Sequence, residues 1–259
     1  MRTAVVYAAD GKLYSIPVFS PNMTSGTAGN ADSGAMPEEG RHASARDVLL
    51  FALTFIAGSV DAISFLGLGQ VFTANMTGNT ILMAIAVGNA KFLAASRSVV
   101  ALLAFAGGGL LAGKLVDPGR NRIVWSTKIT RVLEIELVFI LVFAAAWFIV
   151  GGLPGQDVVL PLIALSACGM GIQSGAARRL SVSGVSTVVV TSTLTALMAE
   201  LAALGTSTPN KTRWVAVMLS LFGGGAAGAV LLSVTRAYAA MLPLVVLCAV
   251  CLAAARRFH

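Results

Sequence analysis

Residues 58–84 read GSVDAISFLGLGQVFTANMTGNTILMA. An acid, Asp61, stands inside one apolar run, and the next run opens with Thr73, Asn75, Thr77, Asn79 and Thr80. What these polar groups mean depends on the solvent around them. Of the 259 residues, 57% are hydrophobic and 11% are charged, whereas a soluble domain carries about 25% charged residues because its surface faces water. So little polar surface cannot cover so much apolar side chain. The solvent that suits this chain is lipid, where a spanning helix takes about 20 apolar residues.

Working outward from that stretch, apolar segments run over 48–67, 71–88, 96–117, 133–150, 158–176, 185–204, 213–234 and 238–255. Six are plain spanning helices. Two, 71–88 and 185–204, are polar at their start, the second through Ser186, Thr187, Thr191, Ser192, Thr193 and Thr195. The positive-inside rule tests whether these two cross. If all eight segments cross, eight Lys and Arg fall on each side; if the polar pair re-enters, thirteen fall on one side and only Lys91, Arg97 and Arg236 on the other. The asymmetric count predicts six crossings, two polar re-entrant or short helices, and both termini in the cytoplasm. Eight full crossings remain the alternative.

The expected fold is therefore an all-α polytopic membrane protein. Its transmembrane domain occupies 46–257, after a disordered arm at 1–45 rich in Gly, Ser, Asn and Thr. The arm is no signal peptide, its apolar run being too short, and Met36 is an alternative start. Val71, Thr73 and Thr77 match Val185, Thr187 and Thr191 at an offset of 114, and Gly107-Gly108-Gly109 match Gly223-Gly224-Gly225 at 116. This suggests two related repeats, about 47–150 and 158–255. Each has three crossings, so they are inverted with respect to one another, a common transporter arrangement.

Asp61 is the sharpest candidate for chemistry. It lies roughly 20 Å along the first helix, leaving about 10 Å to the far face, and intramembrane acids are expensive and commonly functional. Ser64 shares its helix face. The competing reading makes Asp61 a structural cap on the approaching 71–88 segment. Thr73, Asn75, Thr77 and Asn79, with Gln173, Thr187, Thr191 and Thr193 from the second half, supply amides and hydroxyls for a solute pathway; interhelical polar packing is the plainer alternative. At the offset of 114, Asp61 aligns with Gly175, so the acid is not duplicated. Gly109 and Gly113, and Gly224 and Gly228, have the spacing of close helix packing, which leaves a homo-oligomer open. Glu134 and Glu136 stand beside Lys128 and Arg131 and are expected to be solvated interfacial charge. Arg178 and Arg179 are expected to mark a cytoplasmic helix end, and Glu200 is a weaker pairing candidate.

Other classes fit poorly. The net charge of +7 reads as loop charge that orients the helices, not as a nucleic-acid surface, since no basic cluster alternates with exposed aromatics. Cys168, Cys248 and Cys251 lie in apolar runs and read as small filler. His42 and His259 fall outside the membrane part, and no metal spacing, cofactor motif or paired intramembrane acid appears. We expect no enzyme.

The stretch 58–84, followed at 171–195 by GIQSGAARRLSVSGVSTVVVTSTLT, closely resembles the YoaK family of bacterial inner-membrane proteins of unknown function. The resemblance spans about 47–255. The chain has Ser174 where that family often has Asn, and Ser192 where Gly is usual. The resemblance implies a bacterial plasma-membrane location and about six helices, and it brings no substrate. From the residues, the expectation is a small-solute transporter or channel-like permease, with the lipid bilayer and an unknown small solute as partners; the alternative is a structural or accessory membrane protein.

Overall fold

Helix formation here follows apolar length, and the breaks follow glycine. A computed structural model describes residues 3–7, 13–17, 38–116, 125–179, 194–195, 198 and 210–258. Among the described residues seven helices are delimited: α1 Glu38–Gly67, α2 Met76–Gly88, α3 Phe92–Leu115, α4 Thr127–Ile149, α5 Gln156–Arg179, α6 Asn210–Val234 and α7 Met241–Phe258. Six belong to spans of 22 to 24 residues that are apolar enough to cross a membrane, the last of them, Arg236–Arg257, including the 3-10 turn Arg236–Tyr238 ahead of α7. The seventh, α2, has 13 residues and is about 20 Å long, short of the roughly 30 Å hydrocarbon layer. The first polar segment therefore belongs to the short class. The second falls almost wholly outside the described residues, including Thr187, Thr191, Thr193 and Glu200.

The outer faces invert the rule for soluble proteins. Ile149, Leu103 and Leu110 are more than two-thirds exposed, as expected for side chains whose solvent is lipid. Inside, Trp147, Phe143, Ile63, Leu162 and Ile163 form one core cluster, and Leu50, Leu53, Ile56, Leu133, Ile140 and Leu247 belong to another. With lipid as apolar as leucine, helices associate by close backbone approach, and glycine supplies it. A Cβ on Gly224 would strike the Phe55 carbonyl, and one on Gly58 would strike that of Leu221, so α1 and α6 lie backbone to backbone. The pairing of α3 with α5 is alike: Gly108 meets the Cys168 carbonyl and Gly171 that of Phe105.

Two turns set the remaining geometry. Gly69 (φ +87°) and Gln70 (φ +61°) reverse the chain after α1. Gly151 (φ +64°) and Gly152 (φ +74°) turn α4 into α5. A side chain at Gly152 would meet the Arg236 backbone at 2.6 Å, and Trp147 Nε1 donates to the Arg236 carbonyl at 2.9 Å. The α4–α5 turn is thus seated on the segment between α6 and α7.

Two expectations are corrected. The arm is not structureless to residue 45: Thr3–Tyr7 and Leu13–Pro17 pair as an antiparallel ribbon, in keeping with their Val, Ile and Tyr content. In the separate helical unit, α1 begins at Glu38, where acidic and alanine residues favour a helix start. The second correction is Glu136, which is completely buried while Glu134 is exposed. Residues two apart on a helix point about 200° apart, so one acid reaches the interface and the other enters the core.

Candidate functional site

The reversal at Gly69-Gln70 sends residues 71–75 back alongside α1. Asp61 lies six residues before the end of α1, about 9 Å inside it, and its Oδ1 accepts from Thr73 N at 2.9 Å and Ala74 N at 2.7 Å. The start of α2 is therefore held at the depth of Asp61 and not at the helix end, which is the geometry of a re-entrant segment. Asn75 then caps α2, its Oδ1 accepting from Gly78 N at 3.2 Å. The free N–H groups and positive dipole end of α2 begin beside the carboxylate, an arrangement that stabilises negative charge.

Two further devices fix the loop. Buried Asn79 clamps Phe72 from both sides, accepting from Phe72 N at 2.9 Å and donating Nδ2 to Phe72 O at 2.6 Å. Ser166 of α5 donates to Thr73 Oγ1 at 3.0 Å, Thr73 to Ser64 Oγ at 3.4 Å, and Ser64 to the Asp61 carbonyl at 3.1 Å. This chain of hydroxyls satisfies groups that lipid could not.

In front of Asp61 a cleft of about 680 Å³ opens between α1 and α6. Phe65, Phe72, Met218, Leu221 and Phe222 line it, and Asp61 is the one charged group on its wall among the described residues. Phe65 and Phe72 stack with ring centroids 4.8 Å apart. The cleft is open to the outer face of the helices, and its lining would suit a solute with an apolar body and a hydrogen-bond donor or positive charge at one end, the aromatic faces adding cation–π attraction.

The expected pathway residues thus separate. Asp61 faces the cleft; Ser64 and Thr73 lie buried in the hydroxyl chain, and Asn79 is occupied with the loop. Asn75 and Thr77 are exposed on α2. Gln173 is buried elsewhere, donating Nε2 to the Leu53 carbonyl at 3.0 Å. Gly224 and Gly228 both press on α1, at Phe55 and Ser59, while a Cβ on Gly109 would lie 3.8 Å from the Gly171 carbonyl and one on Gly113 would meet nothing within 4 Å. Sequence reasoning missed Ser166, whose only signal is a hydroxyl in the apolar run LIALSAC, and the α6 wall of Met218 and Phe222.

Six apolar helices of spanning length, with a short helix folded back among them, define a polytopic α-helical membrane protein. The family described as "Protein of unknown function (DUF1275)" matches residues 49–254, and the chain belongs to it. It is similar to the UPF0700 transmembrane protein YoaK of Bacillus subtilis (strain 168), with 38% identity over 156 residues, covering 60% of this chain and 67% of that protein. No solved structure matches.

Proposed function

We propose that this protein is a small-solute permease of the bacterial plasma membrane, and that its solute meets Asp61 in the α1–α6 cleft. The observation that carries the reading is a carboxylate at bilayer depth on the wall of an open cleft of about 680 Å³. Polar groups at that depth are costly unless a polar guest or partner uses them. The thirteen-to-three division of basic residues supports cytoplasmic termini.

The glycine contacts support an inverted-repeat arrangement. Gly58 and Gly171 are offset by 113 residues, as are Phe55 and Cys168; Gly108 and Gly224 are offset by 116, as are Phe105 and Leu221. Each repeat then lends its first crossing to the second crossing of the other, and the cleft lies on a seam between repeats, as transporter sites do.

A specific observation favours the accessory reading as well: the polar groups of Thr73 and Asn79 are spent within the protein. The two readings part at Asp61→Asn, which retains an acceptor for Thr73 N and Ala74 N but removes the charge. In a proteoliposome solute screen, the permease reading expects flux of some solute through the native protein and its loss in Asp61→Asn. Equal flux in both for every solute would leave the accessory reading.

A further inference from the structure

Three side-chain oxygens deep in the bundle have no donor. Both carboxylate oxygens of Glu136 and the amide oxygen of Gln173 are buried without a hydrogen-bond partner, and both residues are fully inaccessible. Unpaired buried acceptors are rare because nothing repays their desolvation, and a lone buried carboxylate is the costliest of them.

Helix register brings the two residues to one level. Helices α4 and α5 are antiparallel, joined by the turn at 150–155, and a Cβ on Gly169 of α5 would touch Ile140 of α4 at 3.1 Å. Four residues back along α4 from Ile140 lies Glu136; four residues onward along α5 from Gly169 lies Gln173. In an antiparallel pair both moves run the same way, about 6 Å. The bond from Gln173 Nε2 to the Leu53 carbonyl puts α1 at this level too. From α7 the Cys251 thiol is within electrostatic reach of Glu136. The surroundings are otherwise core: Leu53, Leu133, Ile140 and Leu247. Cys251, with Cys248 beside it, and the outward-facing Glu134 are the titratable groups of this neighbourhood. None is a cation.

We propose that Glu136 and Gln173 form a buried binding site for one small monovalent cation, a proton or sodium. Carboxylate and amide oxygens are hard donors of the kind such cations take, and transporters hold coupling ions on comparable groups in helix-lined cores. Acids at this depth serve as proton and ion carriers in membrane proteins. The level of Leu53 is eight residues from Asp61 along α1, about 12 Å, so the cation site lies beneath the solute cleft and separate from it. It stands whether or not the cleft carries a solute.

The test is labelling of the purified full-length protein in detergent by a hydrophobic carbodiimide, read by peptide mass spectrometry in sodium-free buffer from acid to alkaline pH. Glu136 is expected to be labelled, Glu134 serving as the exposed control. Sodium at about ten times its dissociation constant cuts labelling of Glu136 about tenfold if sodium is the guest. If the guest is the proton, sodium leaves labelling unchanged and rising pH abolishes it. Failure of Glu136 to label at any pH overturns the proposal. A second measurement needs no reagent: the unfolding midpoint of the native protein responds to sodium or to pH, and Glu136→Gln, which brings its own N–H for the Gln173 oxygen, removes that response. A response of equal size in Glu136→Gln also overturns it.

Discussion

Asn79 and Asn75 are four residues apart, of one chemistry, and the structure gives them opposite roles. Asn79→Leu deletes the clamp on Phe72 and strands that residue's N–H and C=O in a buried loop. Each stranded main-chain group costs about 1–3 kcal/mol, so the substitution is expected to destabilise the loop by about 2–6 kcal/mol. Asn75→Ala removes one exposed capping bond to Gly78, worth about 1 kcal/mol. Hydrogen exchange reads the difference directly: amides of residues 72–78 exchange much faster in Asn79→Leu and only slightly faster in Asn75→Ala, while the interiors of α4 and α5 keep native protection. Equilibrium unfolding in detergent micelles gives the same ranking. The reasoning fails if the two variants exchange alike. It fails equally if Asn79→Leu abolishes solute flux with native exchange rates, because Asn79 would then serve the solute and not the loop.

Gly224→Val places a branched side chain on the Phe55 carbonyl and is expected to lose about 1–3 kcal/mol through overpacking; Gly113→Val, at a position meeting nothing within 4 Å, changes stability by less than about 0.5 kcal/mol. Unfolding midpoints of the pair check this, and equal losses would contradict the backbone-to-backbone packing of α1 on α6. Thr73→Val breaks the hydroxyl chain from Ser166 to Ser64 at a cost of about 1–2 kcal/mol. Since the bonds to Asp61 come from main-chain N–H groups, solute flux per folded molecule stays native; a drop in flux at unchanged stability would make Thr73 a solute contact.

The six spans were plain in the sequence because a run of apolar residues about 20 long has few other uses. The shortness of the first polar segment was legible too, through the charge count that full crossing would have evened out. Glu136 was misread because proximity in sequence to Lys128, Arg131 and Glu134 suggested shared solvent, whereas helical rotation separates Glu134 from Glu136 by more than half a turn. The four polar groups at 73–79 looked equivalent as text. Only the fold-back beside α1 and the turn of α2 decide that Thr73 and Asn79 point inward and Asn75 and Thr77 outward. Which helix meets which was least legible, since lipid-facing and partner-facing surfaces are equally apolar; the glycines marked close contact without naming the neighbour.

The grip of α6 on α1 bears on how the protein is made. The ribosome finishes α1 at Gly67 but does not begin α6 until Asn210. Throughout that interval the notch at Gly58 lacks its α6 partner, while Asp61 is already met by the Thr73 and Ala74 N–H groups. Until α6 is threaded, that notch of α1 is filled by lipid chains or by the insertion machinery, and a product truncated before residue 210 keeps it open.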